Sequence, residues 1–156
     1  MTKESKPDLK KITTQLLKGL EVEAKVEIVE EEALTRIKLE TDEPGILIGY
    51  HGQTLASIQL LMAMMVYRQS GEWARIVVDV NDYREKREET LQRMALSITQ
   101  KVKFSGEPQA LPPMPPAERR IIHLALADDP EVETISEGED EDRRVVVSLK
   151  KENEKS

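Results

Sequence analysis

The sequence predicts a mixed α/β (α+β) protein made of two small modules in tandem. Three observations carry that expectation. Apolar periodicity along residues 9–102 switches between helical and alternating patterns in the order helix, strand, strand, helix, strand, helix. The stretch "SGEPQALPPMPPAE" then interrupts the pattern with four prolines between residues 112 and 116. After it come one helical and two alternating segments. With 156 residues, 38% of them hydrophobic, the chain can fill two modest cores.

In "DLKKITTQLLKGL" the residues Leu9, Ile12, Leu16, Leu17 and Leu20 share one face of an amphipathic helix, with Asp8 as N-cap after Pro7 and an end near Gly19. "EVEAKVEI" alternates Val22, Ala24, Val26 and Ile28 with charges, and "ALTRIKLE" alternates Ala33, Thr35, Ile37 and Leu39 with polar residues. That pattern predicts a hairpin with one buried face. Pro44 and Gly45 break it, and "ILIGYHGQTLASIQLLMAMMVYR" reads as a helical region striped by Leu55, Ile58, Met62 and Met65. "WARIVVDV" supplies a β-branched third strand with Ile76, Val78 and Val80 on one face. "DYREKREETLQRMALSITQKV" predicts a helix capped by Asp82 and packed through Leu91, Met94, Ala95, Ile98 and Val102. Beyond the prolines a helix resumes from Ala117, and the strands "EVETIS" and "RRVVVSL" flank an acidic hairpin tip, "EGEDED". The modules are expected to span 1–82 and 83–150, with 151–156 as a disordered tail.

Composition narrows the function. Cysteine is absent, which excludes a disulfide framework and cysteine-ligated zinc. The two histidines, His51 and His123, are too far apart in sequence to suggest a metal site, and neither metal nor cofactor is expected. No apolar stretch has the length of a membrane span, and "MTKESKPDLKK" lacks the apolar core of a signal peptide, so a cytoplasmic location without membrane insertion is expected. A formal net charge of -7 argues against nucleic-acid binding by bulk attraction. The charge is uneven, however. Lys+Arg against Asp+Glu is 8 to 11 over residues 1–44, 8 to 6 over 45–104 and 7 to 13 over 105–156. Only the middle stretch is net basic, and it holds Gly49-Tyr50-His51-Gly52.

Two glycines three apart, ahead of a helix, allow a sharp turn and a close approach by another backbone. Free N–H groups at a helix start, with the helix dipole, favour an anion such as phosphate. The loop lacks the lysine and hydroxyl of GxxxxGK[ST] and the third glycine of a dinucleotide fingerprint, so neither nucleotide hydrolysis nor dinucleotide binding is indicated. Taken alone, GxxG is more often a plain turn than a clamp. In its helix-strand-strand-helix-strand setting, Ile48-Gly49-Tyr50-His51-Gly52-Gln53-Thr54-Leu55 resembles the loop of a KH domain, which clamps about four nucleotides of a single strand. "MPPAERRIIHLAL", with Arg119 and His123 separated by three residues, resembles the R-3-H domain, a small α/β module associated with single-stranded nucleic acid.

The two in this order, joined through "DYREKREETL", resemble the Jag family, also called KhpB or SpoIIIJ-associated proteins, over about residues 9–150. The resemblance implies a type II KH domain (α-β-β-α-α-β) over 1–82 and an R-3-H domain over 83–150. It also implies binding of single-stranded RNA, or single-stranded DNA, in a post-transcriptional regulatory or RNA-chaperone-like role. A single-KH-domain protein or a second copy is the protein partner it suggests. The implied contacts are Gly49, Tyr50, His51, Gly52 and Gln53 in the first module and Arg119 and His123 in the second. Two departures from the resemblance stand out: Tyr50 occupies a loop position where arginine or lysine is common, and family members commonly have a further N-terminal domain where this sequence has only a short helix before its first strand.

On a helix Arg119 and His123 share one face, with Ile121, Leu124 and Ala125 expected to pack inward on the other. Arg119 offers a fork to phosphate and a plane for stacking, and His123 a ring and a donor. From spacing alone they are equally a surface pair without a role. No Ser, Cys or patterned acid accompanies His123, so no catalytic residue and no enzyme activity are expected. Arg84, Lys86, Arg87 and Arg93 are the remaining basic patch, with Arg84 and Arg87 as contact candidates, although such residues are ordinarily a solvated helix face. Met62, Met64 and Met65 read as core filling, as do Trp73 and Phe104, and Tyr83 is a candidate stacking platform. The competing function is a protein-interaction adapter whose KH fold has lost RNA affinity.

Overall fold

A computed structural model describes residues 7–151, so most of the expected disordered tail lies outside the described residues. The chain divides into two units, one up to Arg84 and one from Glu85.

In the first unit, helix α1 (Leu9–Gly19) starts where expected: the Asp8 side chain accepts from the backbone N–H of Lys11. Strands β1 (Lys25–Glu30) and β2 (Thr35–Glu40) pair antiparallel, with Val26 opposite Leu39 and Ile28 opposite Ile37. A short helix α2 (Pro44–Ile48) and a longer helix α3 (Gln53–Ser70) then return the chain to β3 (Ile76–Val80), which lies parallel to β2. The order is α-β-β-α-α-β, and the sheet runs β1-β2-β3. The parallel pair requires this crossover, because two adjacent parallel strands cannot be joined by a tight turn. Asn81 continues the ladder past the strands: its amide accepts from Thr41 N at 2.9 Å and donates to Thr41 O at 2.8 Å. Beneath the sheet Ile12, Ile37, Leu47, Leu55, Met62, Val78 and Val80 are almost wholly buried. Each contributes about 1.5–3 kcal/mol by leaving water.

The second unit takes in most of helix α4 (Tyr83–Ser105), whose first two residues belong to the first unit. Strand β4 (Gln109–Ala110) follows, then helix α5 (Pro116–Leu126), β5 (Val132–Glu137) and β6 (Arg144–Leu149). The sheet order is β4-β6-β5, all antiparallel. Its core is Leu91, Ala95, Ile98 and Val102 of α4 with Ile122, Leu126, Val132, Val145 and Val147.

Several expectations need correction. Asp82 has φ +56, outside the extended conformation of a capping residue. The N–H of Arg84 instead points to Asp79 Oδ1, at 3.5 Å. On α5 the buried stripe is Glu118, Ile122 and Leu126, while Leu124 is 63% exposed and Ala125 is also exposed. The inward face was misplaced by one residue because Ile121-Ile122 offers two equally apolar phases. On α3, Met62 is core and Met65 packs half-buried against it, with Val66 also in the buried stripe, but Met64 is exposed. Trp73 and Phe104 are not packed: the first lies 65% exposed, stacked on Tyr67, and the second is 95% exposed. Strand β4 is only two residues long, too short to leave a periodic signal.

Candidate nucleic-acid interface

The loop between α2 and α3 is built by its glycines. Gly49 takes φ +69 and ψ -169, a conformation open to glycine, and a Cβ there would collide with the Thr54 side chain. Gly52 is left-handed at φ +79 and caps α3, and a Cβ there would come within 3.1 Å of the Tyr83 ring. Tyr83, left open as a stacking platform, is half-buried against the core behind the second glycine. Between the glycines Tyr50 and His51 form a turn of 3-10 helix, with His51 also left-handed at φ +50. Their rings meet edge to face at 4.1 Å. Tyr50 is 70% exposed and Gln53 is exposed beside it. Leu47 and Leu55, both buried, anchor the loop on either side. The result is a turn bounded by two glycines of positive φ at the start of an 18-residue helix, with its tyrosine outward. Successive left-handed and right-handed residues of this kind form anion-binding concavities. From Pro44 to Tyr67 the chain carries no Lys, Arg, Asp or Glu, so the loop and the helix after it, as far as Tyr67, offer a phosphate backbone dipoles and no lysine or arginine of their own.

Arg84 is exposed but held. Its guanidinium donates to Gln59 Oε1 at 2.9 Å and lies 3.4 Å from Val78 O. The same Gln59 oxygen accepts from Val78 N at 3.1 Å, satisfying a donor on the sheet's edge strand.

In the second unit, Arg119 and His123 do share a face of α5, both half-buried. Arg119 Nε donates to Met114 O at 3.2 Å, which steadies the guanidinium beside the helix start. His123 bridges to β5: Nδ1 lies 2.7 Å from Thr134 Oγ1 and Nε2 2.9 Å from Ser136 Oγ. The donor that its spacing suggested is therefore engaged by a hydroxyl. Burial, and then the positive charge of Arg119, hold this imidazole below the ordinary histidine range. Thr134 and Ser136 escaped the sequence reading, although Val132, Thr134 and Ser136 stand at the period-2 spacing of one strand face. Arg87 is committed as well, since its guanidinium forms a two-pronged ion pair with Glu118 at 2.8 and 2.9 Å. Glu118 is 7% exposed, and this pair fixes α4 to the first turn of α5, one residue before Arg119.

Among the described residues no group of three or more histidine, cysteine or acidic side chains could hold a metal ion. No helix among them is long and apolar enough to cross a membrane.

Comparison with known proteins gives two family matches that follow these units. The KhpA/KhpB KH-domain family matches residues 6–80, and the R-3-H domain family matches residues 89–149. Among curated proteins, the RNA-binding protein KhpB of Clostridium symbiosum is 44% identical over 135 residues, 86% of this chain and 61% of that protein. KhpB of Lactiplantibacillus plantarum is 37% identical over 87% of this chain and 42% of its own length. KhpB of Bacillus subtilis is 34% identical over 81% of this chain and 62% of its own. The chain thus spans between about two fifths and three fifths of these relatives.

Proposed function

The chain belongs to the KhpB (Jag) family, a KH domain followed by an R-3-H domain, and from that premise we propose that it binds single-stranded RNA without catalysing a reaction. The observation that carries the reading is the loop: two glycines in conformations that side chains would block hold Tyr50 outward at the start of α3. Backbone dipoles take the phosphate, Tyr50 offers a face to a base, and Gln53 reaches base edges. In the second domain Arg119 supplies the cation and plane, and His123 serves as a neutral ring fixed by Thr134 and Ser136. Arg84 and Arg87 position the framework around these contacts. A cytoplasmic post-transcriptional or RNA-chaperone-like role suits such a binder.

A second reading, a protein adapter, draws on one observation. Leu60, Leu61, Met64, Tyr67 and Trp73 are all exposed on or beside α3, and a contiguous apolar surface marks a place where another protein docks. On that reading a single-KH-domain protein or a second copy occupies that surface and the loop has lost most of its affinity for RNA.

The discriminating experiment replaces Tyr50 and His51 together by aspartate. Aspartate tolerates the left-handed φ of residue 51, so the double variant keeps its fold. Two carboxylates would repel phosphate, and affinity for an oligouridylate is expected to fall at least tenfold. Full affinity in a folded double variant would overturn the loop assignment.

A further inference from the structure

One side of α4 stands apart from its acidic surroundings. Between Glu89 and Glu107 the sequence has no acid and three cations, Arg93, Lys101 and Lys103, whereas residues 105–156 carry 7 cations against 13 acids. Lys103 is neutralised by Asp129 at 3.0 Å and Glu131 at 2.6 Å, which leaves Arg93 and Lys101 on the helix surface. These two lie in one row with Ser97, at i, i+4 and i+8.

Along that row a groove of about 270 Å³ opens between α4 and β4. Met94, Ile98 and Leu111 give it an apolar lining, and Ser97, Lys101 and Gln109 its polar groups, with no acid among the lining residues. Its size falls just below the roughly 300 Å³ at which sites for whole small molecules begin, which suits one flat ring system. β4 is an edge strand, and because Leu111 N donates to Val145 O, the ladder's alternation turns the N–H and C=O of Ala110 away from β6. Such groups can read the edge of a base. Three residues beyond Lys101, Phe104 is 95% exposed and packs on nothing in the core.

We propose that this groove seats one nucleobase of a single strand, with Lys101 on the adjoining phosphate and Phe104 stacked on the next base. A groove with both apolar and polar lining and no acid in it, an edge with free backbone polarity, exposed cations at Arg93 and Lys101 and a bare aromatic ring are together the parts of a single-strand binding platform. The assignment rests on the RNA-binding reading and adds to it a contact surface separate from both the glycine loop and Arg119.

The test measures affinity of the full chain for oligouridylates, comparing wild type with Lys101→Glu, Phe104→Ala and the loop double variant. A Ser97→Trp variant, which fills the groove from an exposed rim position, is run beside them. Residues 97, 101 and 104 lie outside the core, and melting curves confirm folding. Loss of one stacked base costs roughly fivefold or more in affinity, and each groove variant is expected to show it. Photo-crosslinking with 4-thiouridine oligonucleotides is expected to mark residues within 94–111. If wild type binds and the loop variant weakens while all three groove variants stay within twofold, the groove proposal is overturned and the RNA reading stands. If wild type retains no oligouridylate, both fail.

Discussion

His123 shows how one side chain can be legible in type and misjudged in role. Its spacing from Arg119 and its helix face were both evident in the sequence, but what its nitrogens bond to depends on β5, eleven and thirteen residues on. Its folded pKa is lowered, by burial first and by Arg119 second. The unfolded chain, with an ordinary pKa of about 6.5, therefore binds the proton more readily than the folded one. Stability from this site is fully present above that pH and is lost as pH falls toward and through the lower folded value. The expected outcome is a melting temperature that drops between neutral and acid pH more steeply in wild type than in His123→Gln. Parallel pH profiles for the two proteins would show that the imidazole is not held neutral by its surroundings. The glycines, by contrast, were legible as residues: their freedom to take positive φ comes from the absence of a Cβ, a local property that sequence displays directly.

At the scale of elements, local periodicity located the long helices and every strand except β4, because one-sided burial writes itself into residue spacing. It failed where two phases were equally apolar, as at Ile121-Ile122. It also failed where tertiary contacts decide, as with the outward Phe104 and the two-residue β4. The Arg87–Glu118 pair belongs here. A basic residue in "DYREKREETL" reads as solvated, yet α4 and α5 bring it onto a carboxylate that is 7% exposed. Removing one partner of a buried pair strands the other charge, so Arg87→Ala is expected to destabilise the second domain by on the order of 3 kcal/mol. Arg87→Met combined with Glu118→Leu is expected to recover most of that loss, since neither charge is then left alone. Denaturant melts of the single and double variants check this. A single variant as stable as wild type would mean that the pair does not tie α5 in place.

For the whole molecule the question is how a chain of net charge -7 would hold a polyanion, as proposed. On the outer face of the first sheet, register sets Lys25 against Glu40, Glu27 against Lys38, and Lys38 beside Asp79, so that face offers no net attraction. Lys103 and Arg87 are taken by acids. The sequence from Pro44 to Tyr67 holds no Lys or Arg, so the loop relies on backbone dipoles. Binding should therefore be local, through a small number of phosphate contacts, with no broad basic surface. The most direct measurement is the affinity of the whole chain for an oligouridylate over a series of salt concentrations. Each phosphate neutralised on a single strand contributes a slope of about -0.7 in log K against log salt. Contacts at Arg119 and Lys101 predict measurable binding with a slope of about -1.4, the glycine loop adding affinity but no cation, and a slope that becomes shallower by about 0.7 in Arg119→Glu. No retention of the oligonucleotide at low salt, or a slope near zero that Arg119→Glu leaves unchanged, would contradict the account.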